Sequence, residues 1–275
     1  MALGLLYAKA AATALGPRSS TLPDTVVRRI AAIDRAHLAA YARLCGFRFG
    51  DAVPVPYLHV LGFPQQIELM ATRAFPFALP GLVHVRNTGT AHRPVDAAER
   101  LSIAVHAERL RSHPKGAQVD LVTEIDVAGE RVYDGRSTYL ARGASAPLAE
   151  ADPPGPQPFE DGPPTATWHL DAGLGRRYAR ISGDVNPIHL SPLAAKAFGF
   201  PRTIAHGMYT AARALASLDG RLSGALTWDV KFGKPLLLPS VVQLRTAPTG
   251  DGWAIDVRSE QAVHLTATVS EARSG

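Results

Sequence analysis

The sequence predicts an α+β protein of two related halves, each an antiparallel sheet curled around a mostly apolar helix. Three observations carry this expectation. First, Tyr41-Ala42-Arg43-Leu44-Cys45-Gly46-Phe47 is echoed by Tyr178-Ala179-Arg180-Ile181-Ser182-Gly183-Asp184, an offset of 178 − 41 = 137 in a chain of 275 residues. Self-similarity at about half the chain length marks a duplicated unit. Second, seven prolines lie between Gly143 and Pro164 (Pro147, Pro153, Pro154, Pro156, Pro158, Pro163 and Pro164). Proline fixes φ and removes a backbone donor, so this stretch runs extended over the surface as a linker. Third, each side of the linker reads as an apolar helix followed by segments that alternate apolar and polar residues.

In the first half the pattern predicts a helix over residues 34–44 and an apolar stretch over 61–72, then strands that include 102–107 and 120–127. In the second, a helix over 207–218 places Met208, Ala211, Ala212 and Leu215 at three- and four-residue steps, and Asp219-Gly220 closes it. Strands follow over 226–232, 241–246, 254–257 and 263–269. Two such sheets joined side by side remove an exposed edge, although the strand order is not legible. The division that follows is an N-terminal unit over 1–148, a linker over 149–164 and a C-terminal unit over 165–275.

At 46% hydrophobic residues there is ample material for a core. The net charge of +5 arises from 29 basic and 24 acidic residues without a long basic run, which argues against nucleic acid; it reads either as a solvated surface of mixed sign or as suited to a small anionic ligand or an acidic carrier. The single cysteine, Cys45, excludes an intrachain disulfide and a cysteine-based metal cluster, and is consistent with a reducing, cytoplasmic setting. The apolar opening over 2–15 lacks a basic flank and is interrupted by Lys9, so it is expected to be a folded N-terminal arm and not a secretory segment. No run approaches the roughly 20 apolar residues a membrane-spanning helix needs, so no membrane insertion is expected.

Chemistry concentrates in Gly183-Asp184-Val185-Asn186-Pro187-Ile188-His189. Asp184, Asn186 and Pro187 are turn formers, so a plain loop is one account of them. His189 adds another: a carboxylate and an imidazole flanking a forced turn converge on one point and polarise a water held between them. At the 137-residue offset Asp184 faces Phe47, Asn186 faces Phe49 and His189 faces Ala52, so only the second copy keeps polar chemistry. Gly207 stands at the start of the second apolar helix, where backbone N–H groups are unpaired and carry partial positive charge. Without a side chain it admits a carbonyl oxygen, the geometry that stabilises an oxyanion, or it simply serves a tight helix entry. His206 with Asp184 and His189 makes a weaker case for a three-ligand metal site, and no metal is expected. Lys231 and Lys234 either meet a ligand phosphate at a pocket mouth or are ordinary surface lysines.

The run from Tyr178 to His189, with Ala195 six residues beyond, followed by His206-Gly207-Met208 and Lys231-Phe232-Gly233-Lys234-Pro235, resembles the MaoC-like dehydratases, also called hydratase 2 or (R)-specific enoyl-thioester hydratases. The similarity covers most of residues 165–270, and the degenerate first copy resembles the two-halved 3-hydroxyacyl-thioester dehydratases of that family. The resemblance implies a double hot-dog fold and reversible syn hydration of a trans-2-enoyl thioester to the (R)-3-hydroxyacyl thioester. It implies Asp184 and His189 as the catalytic pair on one water, Asn186 as an orienting partner, and the Gly207 N–H as donor to the thioester carbonyl. Some relatives add a serine eight residues past that glycine; Leu215 stands here, so no serine role is carried over. No metal or redox cofactor is implied, and the substrate is a thioester of coenzyme A or acyl carrier protein. Phe47 and Phe49 are expected to line the acyl tunnel. The rival expectations are a hot-dog thioesterase and a non-catalytic acyl-thioester-binding subunit. A monomeric pseudo-dimer and a homodimer both fit.

Overall fold

The computed structural model describes Tyr7 and residues 16–147, 153–159 and 162–271. The expected N-terminal arm, apart from Tyr7, and part of the linker lie outside the described residues. In the first half β1 (Val27–Ala32), α1 (Arg35–Cys45) and α2 (Val55–Met70) are followed by β2 (Leu82–Ala91), β3 (Arg100–His113), β4 (Gly116–Val127) and β5 (Glu130–Arg142). In the second, β6 (Ala166–Leu170), α3 (Leu174–Ser182), α4 (Pro187–Leu190), α5 (Pro192–Ala197) and α6 (Gly207–Ala216) precede β7 (Leu226–Phe232), β8 (Ser240–Pro248), β9 (Gly252–Ser259) and β10 (Ala262–Glu271).

Among the described residues ten strands form one antiparallel sheet in the order β1-β3-β4-β5-β2-β7-β10-β9-β8-β6. Read outward from the middle, the two sides are β2-β5-β4-β3-β1 and β7-β10-β9-β8-β6, the same succession twice about a pseudo-twofold axis. Each five-stranded part wraps its own helix, α2 or α6, which is the double hot-dog arrangement. The parts meet where β2 pairs with β7, from Arg86 opposite Lys231 to Ala91 opposite Leu226. Side chains reinforce the junction: Arg86 Nε and Nη2 donate to Asp229 Oδ1 and Oδ2 at 2.8 and 2.5 Å, a bidentate pair. Thr90 Oγ1 lies 3.0 Å from Thr227 Oγ1.

The repeated heptapeptide has a packing role. Tyr41 and Tyr178 are buried with ring centroids 6.5 Å apart across the junction. Each also packs on its own half's central helix, Tyr41 on Tyr57 at 5.0 Å and Tyr178 on Tyr209 at 5.6 Å. Five residues on, Gly46 and Gly183 adopt left-handed φ of 90° and 74°, and their N–H groups close α1 and α3 on Ala42 O and Ala179 O. Only glycine enters that conformation without steric cost, which is why the echo preserves it. His37 adds a bond across the halves, its Nε2 donating to Ile181 O at 2.8 Å.

The helix over 34–44 is found as α1, with Asp34 as its cap: Oδ1 accepts from the N–H groups of Ala36 and His37. The apolar stretch over 61–72 is the later part of a longer helix that already starts at Val55. Pro56 fits in its first turn because the N–H groups there have no intrahelical acceptor. Among the described residues no helix is long and apolar enough to cross a membrane.

A close approach holds the junction together. Gly89 of β2 faces Trp228 of β7, and a Cβ on it would stand 2.5 Å from the indole Nε1 and 2.7 Å from the Tyr133 hydroxyl. Gly89→Ala is therefore expected to reduce the free energy of urea unfolding by about 2 kcal/mol. An unchanged unfolding midpoint would show that the junction has room to spare.

Candidate active site

The site grows from the end of α3. Gly183 turns the chain in the left-handed region, Asp184 and Val185 follow, and Asn186 caps the four-residue helix α4 by accepting from Ile188 N. Asn186 N in turn donates to Asp184 Oδ1 at 3.2 Å. Asn186 thus shapes the loop with its side chain and holds the carboxylate with its backbone. His189, on α4, donates Nδ1–H to Ile204 O at 2.8 Å. A ring nitrogen facing a carbonyl must be the protonated one, so Nε2 is left with its lone pair.

That lone pair faces Asp184. Nε2 of His189 lies 3.9 Å from Asp184 Oδ2, too far for a direct hydrogen bond. A water about 2.8 Å from both atoms would subtend an angle of about 90° between them, a normal arrangement for a shared water. His206, the residue before α6, donates Nε2–H to the backbone carbonyl of Asp184 at 2.9 Å and stacks on His189 with centroids 3.7 Å apart. It therefore fixes both partners of the pair. Asp184 has a further partner from far away in sequence: the Tyr7 hydroxyl donates to Oδ1 at 2.8 Å.

Burial pushes the Asp184 carboxyl upward, and the two imidazoles, the Tyr7 hydroxyl and the Asn186 amide outweigh it, leaving the group below its ordinary value. Burial lowers His189 below 6.5, against the pull of Asp184 and the Ile204 carbonyl. His206 is pushed down to about 3 by burial and by His189. At neutral pH the site holds one negative charge and neutral imidazoles. Ligand atoms of Asp184, His189 and His206 do lie within 4.8 Å of one another. His206 Nε2 carries the proton it gives to Asp184 O, so that nitrogen is not a free ligand.

Gly207 is the first residue of α6, and its N–H has no carbonyl within the helix to meet. It lies in the cavity wall with Asp184, Asn186 and His189. The Phe232 ring also packs over Gly207, where a Cβ would come within 2.8 Å of it, so the glycine is required by packing as well as by access to its amide.

The cavity measures ≈ 970 Å³ and is walled by both halves. The expectation for Phe47 and Phe49 needs correction. Phe47 stacks on Tyr41 at 6.2 Å, Phe49 is 62% exposed beneath the Arg43 guanidinium, and neither reaches the cavity. The pseudo-twofold explains this: it carries the loop equivalent to Asp184–His189 away from the cavity, and the first half presents α2 to it instead. Val60, Phe63, Ile67 and Met70 of that helix supply the apolar wall, with Leu79 and Leu82. His59 and His84 add imidazoles that burial lowers to about 4 and about 3, so both are neutral.

Sequence reasoning also passed over Gly175. It sits on α3 against α4, and a Cβ there would overlap the carbonyl oxygen of His189. The signal was present: at the 137-residue offset Gly175 faces Leu38, so only the copy that carries the histidine is hollowed out.

A family model described as MaoC like domain matches residues 163–272. Over 268 residues the chain is 40% identical to 3-hydroxyacyl-thioester dehydratase X of Mycobacterium tuberculosis, covering 96% of each chain. It is 29% identical over 150 residues to enoyl-CoA hydratase 2, peroxisomal, of Arabidopsis thaliana, half of this chain and 48% of that one. A crystal structure of HtdX of M. tuberculosis superposes with a TM-score of 0.81 at 37% identity, over 90% of this chain and 100% of the other.

Gly175→Ala is expected to move the His189 carbonyl and lower the unfolding free energy by about 1–3 kcal/mol. A crystal structure of the variant that leaves His189 Nε2 where it stands, together with wild-type stability, would contradict the close fit of α3 on α4.

Proposed function

The chain belongs to the MaoC-like dehydratase family, and from that premise we propose that Asp184 and His189 carry out the reversible syn hydration of trans-2-enoyl thioesters to (R)-3-hydroxyacyl thioesters. It is a hydro-lyase of fatty-acid metabolism. The observation that carries the site assignment is the 3.9 Å gap between Asp184 Oδ2 and His189 Nε2, with the histidine tautomer fixed by Ile204. A water in that gap donates one hydrogen to each partner and keeps an oxygen lone pair for Cβ.

In the hydration direction the water oxygen bonds to Cβ as His189 Nε2 takes one of its protons, and Asp184 balances the imidazolium that forms. The Cα=Cβ pair moves toward the thioester, and the Gly207 N–H meets the negative charge that gathers on the carbonyl oxygen. The pair then returns a proton to Cα on the same face, giving the 3-hydroxyacyl thioester. Dehydration is the reverse. No metal or redox group enters this sequence, because conjugation with the thioester already makes the α-proton exchangeable.

In this reading residues 165–275 supply the chemistry and residues 1–148 the acyl wall, joined through the linker over 149–164. The mouth of the cavity supports a phosphate-bearing carrier. Besides Arg86, whose charge is paired with Asp229, the described lining residues include Lys115, Arg142, Lys231 and Lys234, and Asp184 is their single carboxylate. That imbalance favours the phosphopantetheine arm common to coenzyme A and acyl carrier protein. Both halves of one chain wall the cavity, which fits a monomeric pseudo-dimer and equally a homodimer of such units. A cytoplasmic location fits the buried free thiol of Cys45, which burial pushes up to about 12.

Asp184→Asn and His189→Ala are each expected to slow crotonyl-CoA hydration by about 10²–10⁴-fold with the fold intact by circular dichroism. A free-thiol assay should stay silent throughout; thiol release would make the protein a thioesterase, and wild-type rates in both variants would remove the pair. Because burial holds His189 below 6.5, the base is available through neutral pH and is lost only as the pH falls below that value. The rate should therefore be flat from pH 7 to 8 and decline on acidification, and a rate that climbs from pH 7 to 5 would reverse the assignment.

Replacing Lys231 and Lys234 together by alanine is expected to raise KM for crotonyl-CoA about three- to tenfold while kcat stays within about twofold, with a weaker dependence on salt. The change should vanish with a crotonyl pantetheine thioester that lacks phosphate. An equal change with that substrate would mean the lysines do not read phosphate.

A further inference from the structure

We propose that Tyr7 is a positioning residue: its hydroxyl anchors one oxygen of the Asp184 carboxylate so that the other alone meets the water shared with His189. This rests on the acid–base roles given to Asp184 and His189, and it concerns how the carboxylate is held for them. The two oxygens have different surroundings. Oδ1 accepts from the Tyr7 O–H at 2.8 Å and from the Asn186 N–H at 3.2 Å. Oδ2 faces Nε2 of His189 at 3.9 Å and Nε2 of His206 at 3.8 Å.

A carboxylate turns readily about its terminal torsion, whose preferences are broad and roughly two-fold. With Oδ1 held by the amide alone, the two oxygens would exchange and the water would lose a fixed partner. An O–H donor to an ionised carboxylate is among the stronger hydrogen bonds, and it sets both the plane of the group and which oxygen is reactive. Tyr7 is suited to that work. Burial, and then the nearby Asp184 charge, raise its hydroxyl well above its ordinary range, so it remains a donor throughout the working pH range. Its ring also borders the cavity. Its place 177 residues before Asp184 explains why the local motif gave no sign of it.

The test uses the full chain as Tyr7→Phe and Tyr7→Ala, with crotonyl-CoA turnover measured beside calorimetric binding of the saturated butyryl-CoA. Tyr7→Phe is expected to lower kcat about tenfold, with KM, butyryl-CoA affinity and thermal midpoint essentially unchanged. Tyr7→Ala should show the same loss of kcat. Wild-type kcat in Tyr7→Phe with a defect only in Tyr7→Ala would make the ring a wall element and overturn the proposal. A faster Tyr7→Phe would make the hydroxyl an obstruction, and a loss of butyryl-CoA affinity matching the loss in kcat/KM would make it a binding contact; both overturn it as well. Asp184→Asn in the same assay separates the two levels. Full activity there removes the acid–base roles themselves, whereas an inactive Asp184→Asn beside an unaffected Tyr7→Phe removes only the part assigned to Tyr7.

Discussion

The pairing of β2 with β7 is the constraint on which the rest depends. It fuses two five-stranded sheets into one and leaves each half's central helix facing across the junction toward the other half's loops. Asp184 and His189 stand on the second half, whereas the apolar wall opposite them is α2 of the first. Neither half alone encloses the cavity. The contacts that lock the junction (Gly89 under Trp228, Arg86 forked onto Asp229, Tyr41 against Tyr178) therefore sit upstream of the proposed chemistry, because they fix the distance between Asp184 and His189 and the apolar wall.

Within that frame the site separates charge from proton transfer. Four imidazoles (His59, His84, His189 and His206) are driven toward their neutral forms by burial, while Asp184 is kept ionised by donors aimed at it. A neutral base beside a fixed anion is poised to accept a proton, because the resulting imidazolium is paired as it forms. The stacking of His206 on His189 acts on the same balance, since a second positive ring at 3.7 Å would oppose protonation. Neutral His206 instead spends its proton on the Asp184 carbonyl and steadies the loop.

Much of this was legible in the sequence. The alternating segments at 226–232 and 263–269 became β7 and β10, and the helix at 207–218 became α6 with Gly207 at its start. Four strands escaped: β1 and β6 are short edge strands, and β6 does alternate over only five residues, whereas in β2 and β5 the alternation fails. β2 carries Arg86, Asn87, Thr88, Gly89 and Thr90 in succession, because it is flanked by strands on both sides and makes polar contacts across the junction. β5 is buried on both faces from Ser137 to Ala141, which erases the two-residue period. In the candidate site, local spacing foretells that Asp184, Asn186 and His189 come together. It does not extend to Tyr7, which arrives from 177 residues away, nor to the wall: the repeat offset points to Phe47 and Phe49, and the pseudo-twofold turns that loop from the cavity.

The duplication also shows which residues answer to folding and which to chemistry. The tyrosines of the heptapeptide and the capping glycines persist in both copies because each half needs the same ring packing and the same helix end. A buried carboxylate persists too: Asp120 of β4 is held by Arg111, Arg136 and Thr138, and Asp256 of β9, 256 − 120 = 136 residues later, by Arg258. A buried ion pair resists loss, since removing one partner strands the other charge in a poor solvent. Two positions that diverged are packing residues in the first copy, where Leu38 is buried in the core and Phe47 stacks on Tyr41. Leu38 against Gly175 and Phe47 against Asp184 mark where one copy was free to fill space and the other had to leave room for an imidazole and a water. At these two positions the asymmetry follows the proposed division of labour, with the acyl wall on one side and the acid–base pair on the other.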